Sequence, residues 1–159
     1  MDARIALLIS ELKSQREDIL YLHAKIAERL SDLQKEPDNE AIKDSLGYKL
    51  HNLYCAYEDL FKIVARFFEN HIDDASRYHT LLLKRMKLDI AGVRPALISD
   101  ETFKILNELR AFRHFFRHAY IYELDANKLI DLANKCAVLR GLFIEDFEKF
   151  VDSLVRENG

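Results

Sequence analysis

Residues that break regular backbone structure are scarce in this chain of 159 residues, which contains only four glycines and two prolines. Because glycine and proline favour turns and loops, their scarcity predicts long helices and little irregular structure. Long apolar runs are also missing. The apolar stretch near the amino terminus is too short to span a membrane, and charged residues rather than a cleavage site follow it. We therefore expect a soluble, cytoplasmic protein.

Cysteine is equally rare, since Cys55 and Cys136 are the only two in the chain. Two cysteines are too few for a disulfide framework, and neither has partners at the spacing of metal ligands. We expect both to be reduced, buried thiols, and we expect no metal site.

The sequence also lacks an excess of positive charge, because 24 lysines and arginines face 27 aspartates and glutamates. The resulting net charge of −3 excludes a generally basic nucleic-acid binder. Any polyanion must therefore bind a local basic patch. The length is sufficient for a hydrophobic core, and we predict that residues 1–159 form a single domain.

Apolar residues recur at helical spacing along most of the chain. The clearest pattern, with steps of three and four, comprises Leu46, Leu50, Leu53, Tyr57, Leu60, Val64 and Phe67. The predicted helices cover Ala3 to about residue 34, residues 39–69, residues 75–88, a segment from residue 100 that fades between residues 120 and 125, and a last helix capped by Asp125. Residues 70–74 are a predicted turn, and residues 89–98 are a predicted loop. The prediction is an all-α, up-and-down bundle of four long helices and one short helix.

The most unusual segment is residues 110–122, which combines three arginines, two histidines and two tyrosines. Because residues three, four or seven apart are neighbours on a helix, Arg110, His114 and Arg117 share one face. Arg113 lies at the margin of that face, and His118 lies on it or just past it. We call these five residues the cationic stripe.

An arginine-rich helical face is more often a solvated surface or a set of ion pairs than a catalytic site. Here arginine and histidine cluster at one helix end, which favours a function. The guanidinium group of arginine matches phosphate in shape and charge, and histidine exchanges protons near neutral pH.

Within this segment, Arg113-His114-Phe115-Phe116-Arg117-His118 fits the Arg-x4-His signature of HEPN domains, and the sequence resembles that family. Ala119 and Tyr120 extend the signature to Arg-x4-His-x-Tyr, which is typical of HepT-type toxins paired with MNT (minimal nucleotidyltransferase) antitoxins. The signature spans eight residues, and its place late in the fourth helix extends the resemblance over essentially the whole chain.

The resemblance implies the toxin of a type VII-like HepT/MNT toxin–antitoxin system, acting as a metal-independent endoribonuclease without a cofactor. Transfer RNA is one candidate substrate. Arg113 would bind and polarise the scissile phosphate, and His118 would transfer a proton as the 2′-hydroxyl attacks. Arg110, His114 and Arg117 would bind RNA. One histidine cannot readily act as both base and acid, and HEPN ribonucleases resolve this by forming homodimers with one shared cleft.

The resemblance also implies how the toxin is silenced. In HepT-type systems the MNT partner transfers AMP from ATP to the tyrosine of the motif, which is Tyr120 in this chain. Tyr122 lies two residues further along the chain and is the alternative acceptor of AMP.

Three interpretations remain open at this stage. The favoured one is an RNA-cleaving toxin with an MNT antitoxin. The second is a non-catalytic HEPN subunit that binds nucleotide or substrate for a partner nucleotidyltransferase. The third is a helical interaction protein whose arginines form ion pairs. The intact pair of Arg113 and His118 favours the first over the second, because a pure binding subunit does not need His118.

Overall fold

The computed structural model describes residues 1–69, 78–121 and 123–159, and of Tyr78 it describes only the backbone. These residues form five α-helices, and the predicted arrangement of four long helices and one short helix is confirmed. The helices are α1 (Ala3–Lys35), α2 (Glu40–Phe68), α3 (Tyr78–Met86), α4 (Asp100–His118) and α5 (Ala126–Asn158).

Capping side chains define where most of these helices begin. The Asn39 side chain accepts a hydrogen bond from the backbone N–H of Ile42 at the start of α2. Ser99 and Asp125 act in the same way on α4 and α5, so the cap predicted for α5 is confirmed. Each such cap typically stabilises a helix by about 0.5–2 kcal/mol.

Four helices enclose the core as a ring: α1 and α4 each pack against both α2 and α5. The apolar pattern predicted for α2 lies inside this ring, and every member except the partly buried Phe67 is fully buried. The equivalent pattern of α5, which includes Phe143, Phe147 and Phe150, faces the same core. Burial of a large apolar side chain contributes roughly 1.5–3 kcal/mol, so these two patterns supply much of the stability.

The third helix differs from the prediction at its carboxyl-terminal end. It ends at Met86 rather than residue 88, because the N–H groups of Lys87 and Leu88 bond to carbonyls three residues back instead of four. Residues 75–77 and the predicted turn at residues 70–74 lie outside the described residues. Leu82 and Leu83 are buried, whereas Leu81 is exposed.

The predicted loop at residues 89–98 is confirmed, and the buried Arg94 holds it together. Its guanidinium group donates hydrogen bonds to the backbone carbonyls of Arg85, Leu88 and Pro95. Gly92 adopts a φ of 78°, which favours glycine, at the turn of this loop.

The amino-terminal end of α4 is fixed to α5. One carboxylate oxygen of Asp146 accepts hydrogen bonds from the Ser99 N–H, the Ser99 hydroxyl and the Thr102 hydroxyl, the last at 2.6 Å. Thr102 is fully buried, as are Leu106 and Leu109 further along the helix. This attachment sets the direction in which α4 carries the cationic stripe.

The helix α4 ends at His118, earlier than the predicted fade between residues 120 and 125. Ala119 leaves the helical conformation, and its N–H turns to the carbonyl of Phe116 three residues back. Among the helices of the described residues, none is long and apolar enough to cross a membrane.

Candidate functional site

The last two turns of α4 carry the cationic stripe past the edge of the core. Arg110 and Arg113 are half-buried, whereas His114, Arg117 and His118 are exposed. The difference follows from the helical repeat, since Arg113 continues the inward-facing side of the helix that Leu106 and Leu109 occupy. An arginine therefore stands where the pattern would otherwise place a core residue.

Arg113 points at α2 and contacts Cys55. Its Nε–H donates a hydrogen bond to the Cys55 sulfur, with 3.3 Å between the two heavy atoms. Cys55 is itself only partly buried, unlike Cys136, which is fully buried as predicted. Cys55 thus departs from the expectation of a buried thiol, because it borders the cationic stripe.

The arginines of the stripe have no carboxylate partner within salt-bridge distance among the described residues. Arg110 donates two hydrogen bonds to the amide oxygen of Asn107, at 3.1 and 3.0 Å. Glu108, on the same helix, instead pairs with Lys135 of α5 at 2.9 Å. Ion pairing therefore does not account for these arginines, and the third interpretation loses its main support.

The sequence did not single out His51, although it faces the stripe from α2. Its ring lies over that of Phe116 on α4, with 5.4 Å between the centroids, and its Nε2 atom is 3.8 Å from the Cys55 sulfur. Its Nδ1 atom is buried without a hydrogen-bond partner in the described structure. Burial, together with the charges of Arg113 and Arg117, lowers the pKa of His51 below its usual 6.5.

A glycine allows this close approach of the two helices. A Cβ atom on Gly47, one turn before His51, would lie 2.8 Å from the Leu124 Cδ1 atom and 3.1 Å from the Phe116 Cε2 atom. Phe116 also stacks on Phe112 of its own helix. The missing side chain therefore lets the two helices approach closely, and we call the region where His51, Cys55, Arg113 and Phe116 meet the α2–α4 junction.

Tyr54, on the same helix as Cys55, is fully buried. Its hydroxyl group has no hydrogen-bond partner in the described structure. Burial, followed by the charge of Glu58, raises the pKa of Tyr54, while Arg110 and Arg113 act in the opposite direction. Because the phenol of Tyr54 is uncharged, it does not compensate the positive charge of Arg113.

His114 and His118 form a separate pair on the outer side of α4. Their rings meet edge to face, with 4.8 Å between the centroids. Because Arg113 and His118 are five residues apart on the helix, their side chains leave the helix axis roughly 140° apart. One copy of the chain therefore brings His118 close to His114, but it does not point His118 at the surroundings of Arg113.

Tyr120 follows directly after the end of α4 and is 88% exposed. The competing Tyr122 lies outside the described residues. The exposure of Tyr120 makes its hydroxyl accessible to a partner enzyme, which is a requirement for modification.

A cavity of about 470 Å³ lies between the end of α4 and the start of α5, away from Arg113. Its lining is mostly apolar and includes Phe112, Phe115 and Leu129, while Glu123, Asp125 and Lys128 place charges of both signs at it. The described residues contain no group of three or more histidine, cysteine or acidic residues that could hold a metal ion.

Comparison with known proteins identifies one family. The family model for "HepT-like protein" matches residues 45–154, which include most of α2, all of α3 and α4, and most of α5. Neither the curated proteins nor the solved structures contain a significant match to the chain.

Proposed function

Because the chain belongs to the HepT-like protein family and is a HepT-type HEPN protein, we propose that it is the toxin of a HepT/MNT toxin–antitoxin pair. In this proposal the chain is a metal-independent endoribonuclease that acts as a homodimer in the cytoplasm. Its partner is an MNT-type nucleotidyltransferase that silences it by transferring AMP to Tyr120.

One observation carries the proposal: Arg113 is half-buried at the α2–α4 junction without a carboxylate partner in the described structure. Removing a guanidinium group from water without compensation is unfavourable, and an anionic ligand would restore the balance. Arginine presents a planar set of donors that fits a phosphate group. Arg110 and Arg117 extend the same charge toward the neighbouring phosphates of an RNA strand.

The roles follow from the chemistry of RNA cleavage. As the 2′-oxygen attacks phosphorus, negative charge grows on the non-bridging oxygens, and the charge of Arg113 stabilises it. His118 transfers a proton, since an imidazole can gain and lose a proton near neutral pH. The reaction leaves a 2′,3′-cyclic phosphate and a free 5′-hydroxyl group, and it needs no metal ion.

A homodimer resolves the divergence of Arg113 and His118 within one chain. Their side chains leave α4 on different sides, so one copy alone does not aim both at one phosphate. In a two-fold dimer built on α4, Arg113 of one copy and His118 of the other can face a shared cleft. If no dimer forms, the same divergence favours the second candidate, which is a non-catalytic subunit that binds nucleotide for the nucleotidyltransferase.

RNA digestion in the presence of EDTA tests the proposed function. We expect the wild-type protein to cleave RNA, and we expect Arg113→Ala and His118→Ala each to slow cleavage by about 10²–10⁴-fold. Arg156→Ala, at the exposed end of α5, is the matched control and should cleave normally. If the wild-type protein binds RNA without cleaving it, the binding subunit replaces the ribonuclease as the function.

A further inference from the structure

We propose that His51 is a second proton-transfer residue of this site, contributed by α2, and that it removes the proton from the attacking 2′-hydroxyl group. The inference rests on the proposed ribonuclease function. The reaction then has His51 of α2 as its base and His118 of α4 as its acid.

Three contacts bring His51 close to Arg113, the proposed phosphate-binding residue. Its ring contacts that of Phe116, its Nε2 atom is 3.8 Å from the Cys55 sulfur, and Arg113 donates a hydrogen bond to that same sulfur. Cys55 is thus the common neighbour of the imidazole and the guanidinium. A phosphate bound by Arg113 would consequently lie within reach of the imidazole.

The hydrogen-bonding state of His51 suits a base. Its Nδ1 atom has no partner in the described structure, so no carboxylate holds the ring in the protonated form. The charged and titratable groups that face His51 are Cys55 on its own helix and Arg113 and Arg117 on α4. Burial, and then the charges of both arginines, lower the pKa of His51, which keeps the imidazole neutral and able to accept a proton.

The proposed step balances as follows. The 2′-hydroxyl proton passes to His51 while the 2′-oxygen forms a bond to phosphorus. The bond from phosphorus to the 5′-oxygen breaks, and the departing 5′-oxygen takes a proton from His118. The products are a 2′,3′-cyclic phosphate and a 5′-hydroxyl group, with His51 protonated and His118 neutral. Proton exchange with water then restores both residues.

The pH dependence of RNA cleavage tests the role of His51. In the wild-type protein, kcat/KM should rise with pH as His51 loses its proton, with an acidic limb below pH 6.5 because its pKa is lowered. His51→Gln should reduce kcat/KM by about 10²–10⁴-fold and remove that limb. His79→Gln is the control and should keep the acidic limb. It removes an imidazole on α3 that is bonded to Glu58, two turns after His51 on α2. A His51→Gln protein that retains the acidic limb would overturn the proposal.

A second measurement does not depend on cleavage. The imidazole of His51 can be titrated by NMR with and without uridine 3′-monophosphate, and the His51→Gln spectrum assigns the signal. The nucleotide phosphate should raise the pKa of His51 by offsetting Arg113 and Arg117, and Arg113→Gln should abolish the change.

The two measurements separate the possible failures. If the nucleotide leaves the titration of His51 unchanged, His51 does not face the phosphate and the inference is wrong, whatever the activity. If the titration moves but no RNA is cleaved, the ribonuclease function is wrong while the place of His51 beside the phosphate stands.

Discussion

Arg113 on α4 donates a hydrogen bond to the sulfur of Cys55 on α2, across a heavy-atom distance of 3.3 Å. A sulfur atom is a weak acceptor and orients the guanidinium without competing for it as a carboxylate would. The contact therefore positions Arg113 while leaving its charge available. A carboxylate at residue 55 would form an ion pair that a phosphate ligand has to break.

Arg110 and Arg117 should contribute more to RNA binding than to chemistry. We expect Arg110→Ala and Arg117→Ala each to weaken binding of single-stranded RNA and to lower the slope of log K against log salt by about 0.7 per lost phosphate contact. Fluorescence anisotropy over a salt series measures these effects, with Arg156→Ala as the control. Equal loss of binding at all salt concentrations would contradict a phosphate contact.

The shared cleft can be tested by mixing two inactive proteins. If each site combines Arg113 of one copy with His118 of the other, a mixed dimer of Arg113→Ala and His118→Ala contains one intact site. Random pairing should then restore about a quarter of the wild-type cleavage rate. The matched control replaces His118→Ala with the double variant, which leaves every site without Arg113.

No recovery in a mixture that sedimentation shows to contain dimers would mean that each chain supplies both residues of its own site. A strictly monomeric protein that cleaves RNA would refute the composite site altogether.

Silencing should depend on Tyr120, which is 88% exposed beside the cationic stripe. The phenolic oxygen can attack the α-phosphate of ATP and release pyrophosphate, when the partner enzyme supplies the metal and the base that takes the phenolic proton. Each AMP adds one phosphodiester charge, which would offset Arg113 and Arg117 and block the cleft. Intact-mass measurement after incubation with the partner and ATP should show whole AMP units, and Tyr120→Phe should prevent the addition.

Other exposed tyrosines provide the controls for this experiment. Tyr21→Phe and Tyr48→Phe remove accessible phenols elsewhere and should leave the mass gain unchanged. If Tyr122→Phe prevents the addition and Tyr120→Phe does not, then Tyr122 is the acceptor.

Fold stability should depend on pH through His23, whose Nε2 atom lies 2.7 Å from the Tyr57 hydroxyl oxygen in the core. Burial, and secondarily the charge of Arg140, lowers the pKa of His23 from 6.5 to about 4. Between these values the unfolded chain binds more protons, so the free energy of unfolding falls as pH drops from 6.5 to 4, by roughly 3 kcal/mol in total. Urea denaturation should show this slope in the wild-type protein.

The matched variants for this measurement are His23→Gln and His114→Gln. His23→Gln removes the buried imidazole and should therefore remove roughly 3 kcal/mol of the change in the free energy of unfolding with pH. It also lowers stability at neutral pH. The second removes an exposed imidazole and should keep the wild-type slope. Identical slopes in the wild-type and His23→Gln proteins would contradict the assignment.

The helices were predictable because their determinants are local. The apolar steps of α2 from Leu46 to Val64 are read directly from the sequence, and all of these residues are buried. The cap of α5 at Asp125 was predictable, since a short polar side chain before an apolar run has few other roles. The end of α3 was less predictable, because Lys87 and Leu88 are compatible with either helix or turn.

The composition of the site was predictable only along α4. The spacing of Arg113 and His118 is a property of one helix and carries the family signature. The proximity of His51 and Cys55 depends on how α2 is rotated against α4, which in turn depends on the small size of Gly47. The sequence alone assigns no role to His51 and indicates only a buried thiol at Cys55. The polar residues next to the apolar pattern of α2 could have indicated this proximity, since partly buried polar residues there must face a neighbouring helix.

The unequal attachment of α4 has a consequence for its local opening. Its first half is held by Asp146 and by buried leucines, whereas its last turns are exposed and end without a glycine cap. Backbone amides near Thr102 should therefore exchange with solvent only when the whole bundle unfolds, while those after Phe115 exchange through small, frequent openings. The chain can thus rearrange the cationic end of α4 around a second copy or an attached nucleotide without disturbing the core that keeps it folded.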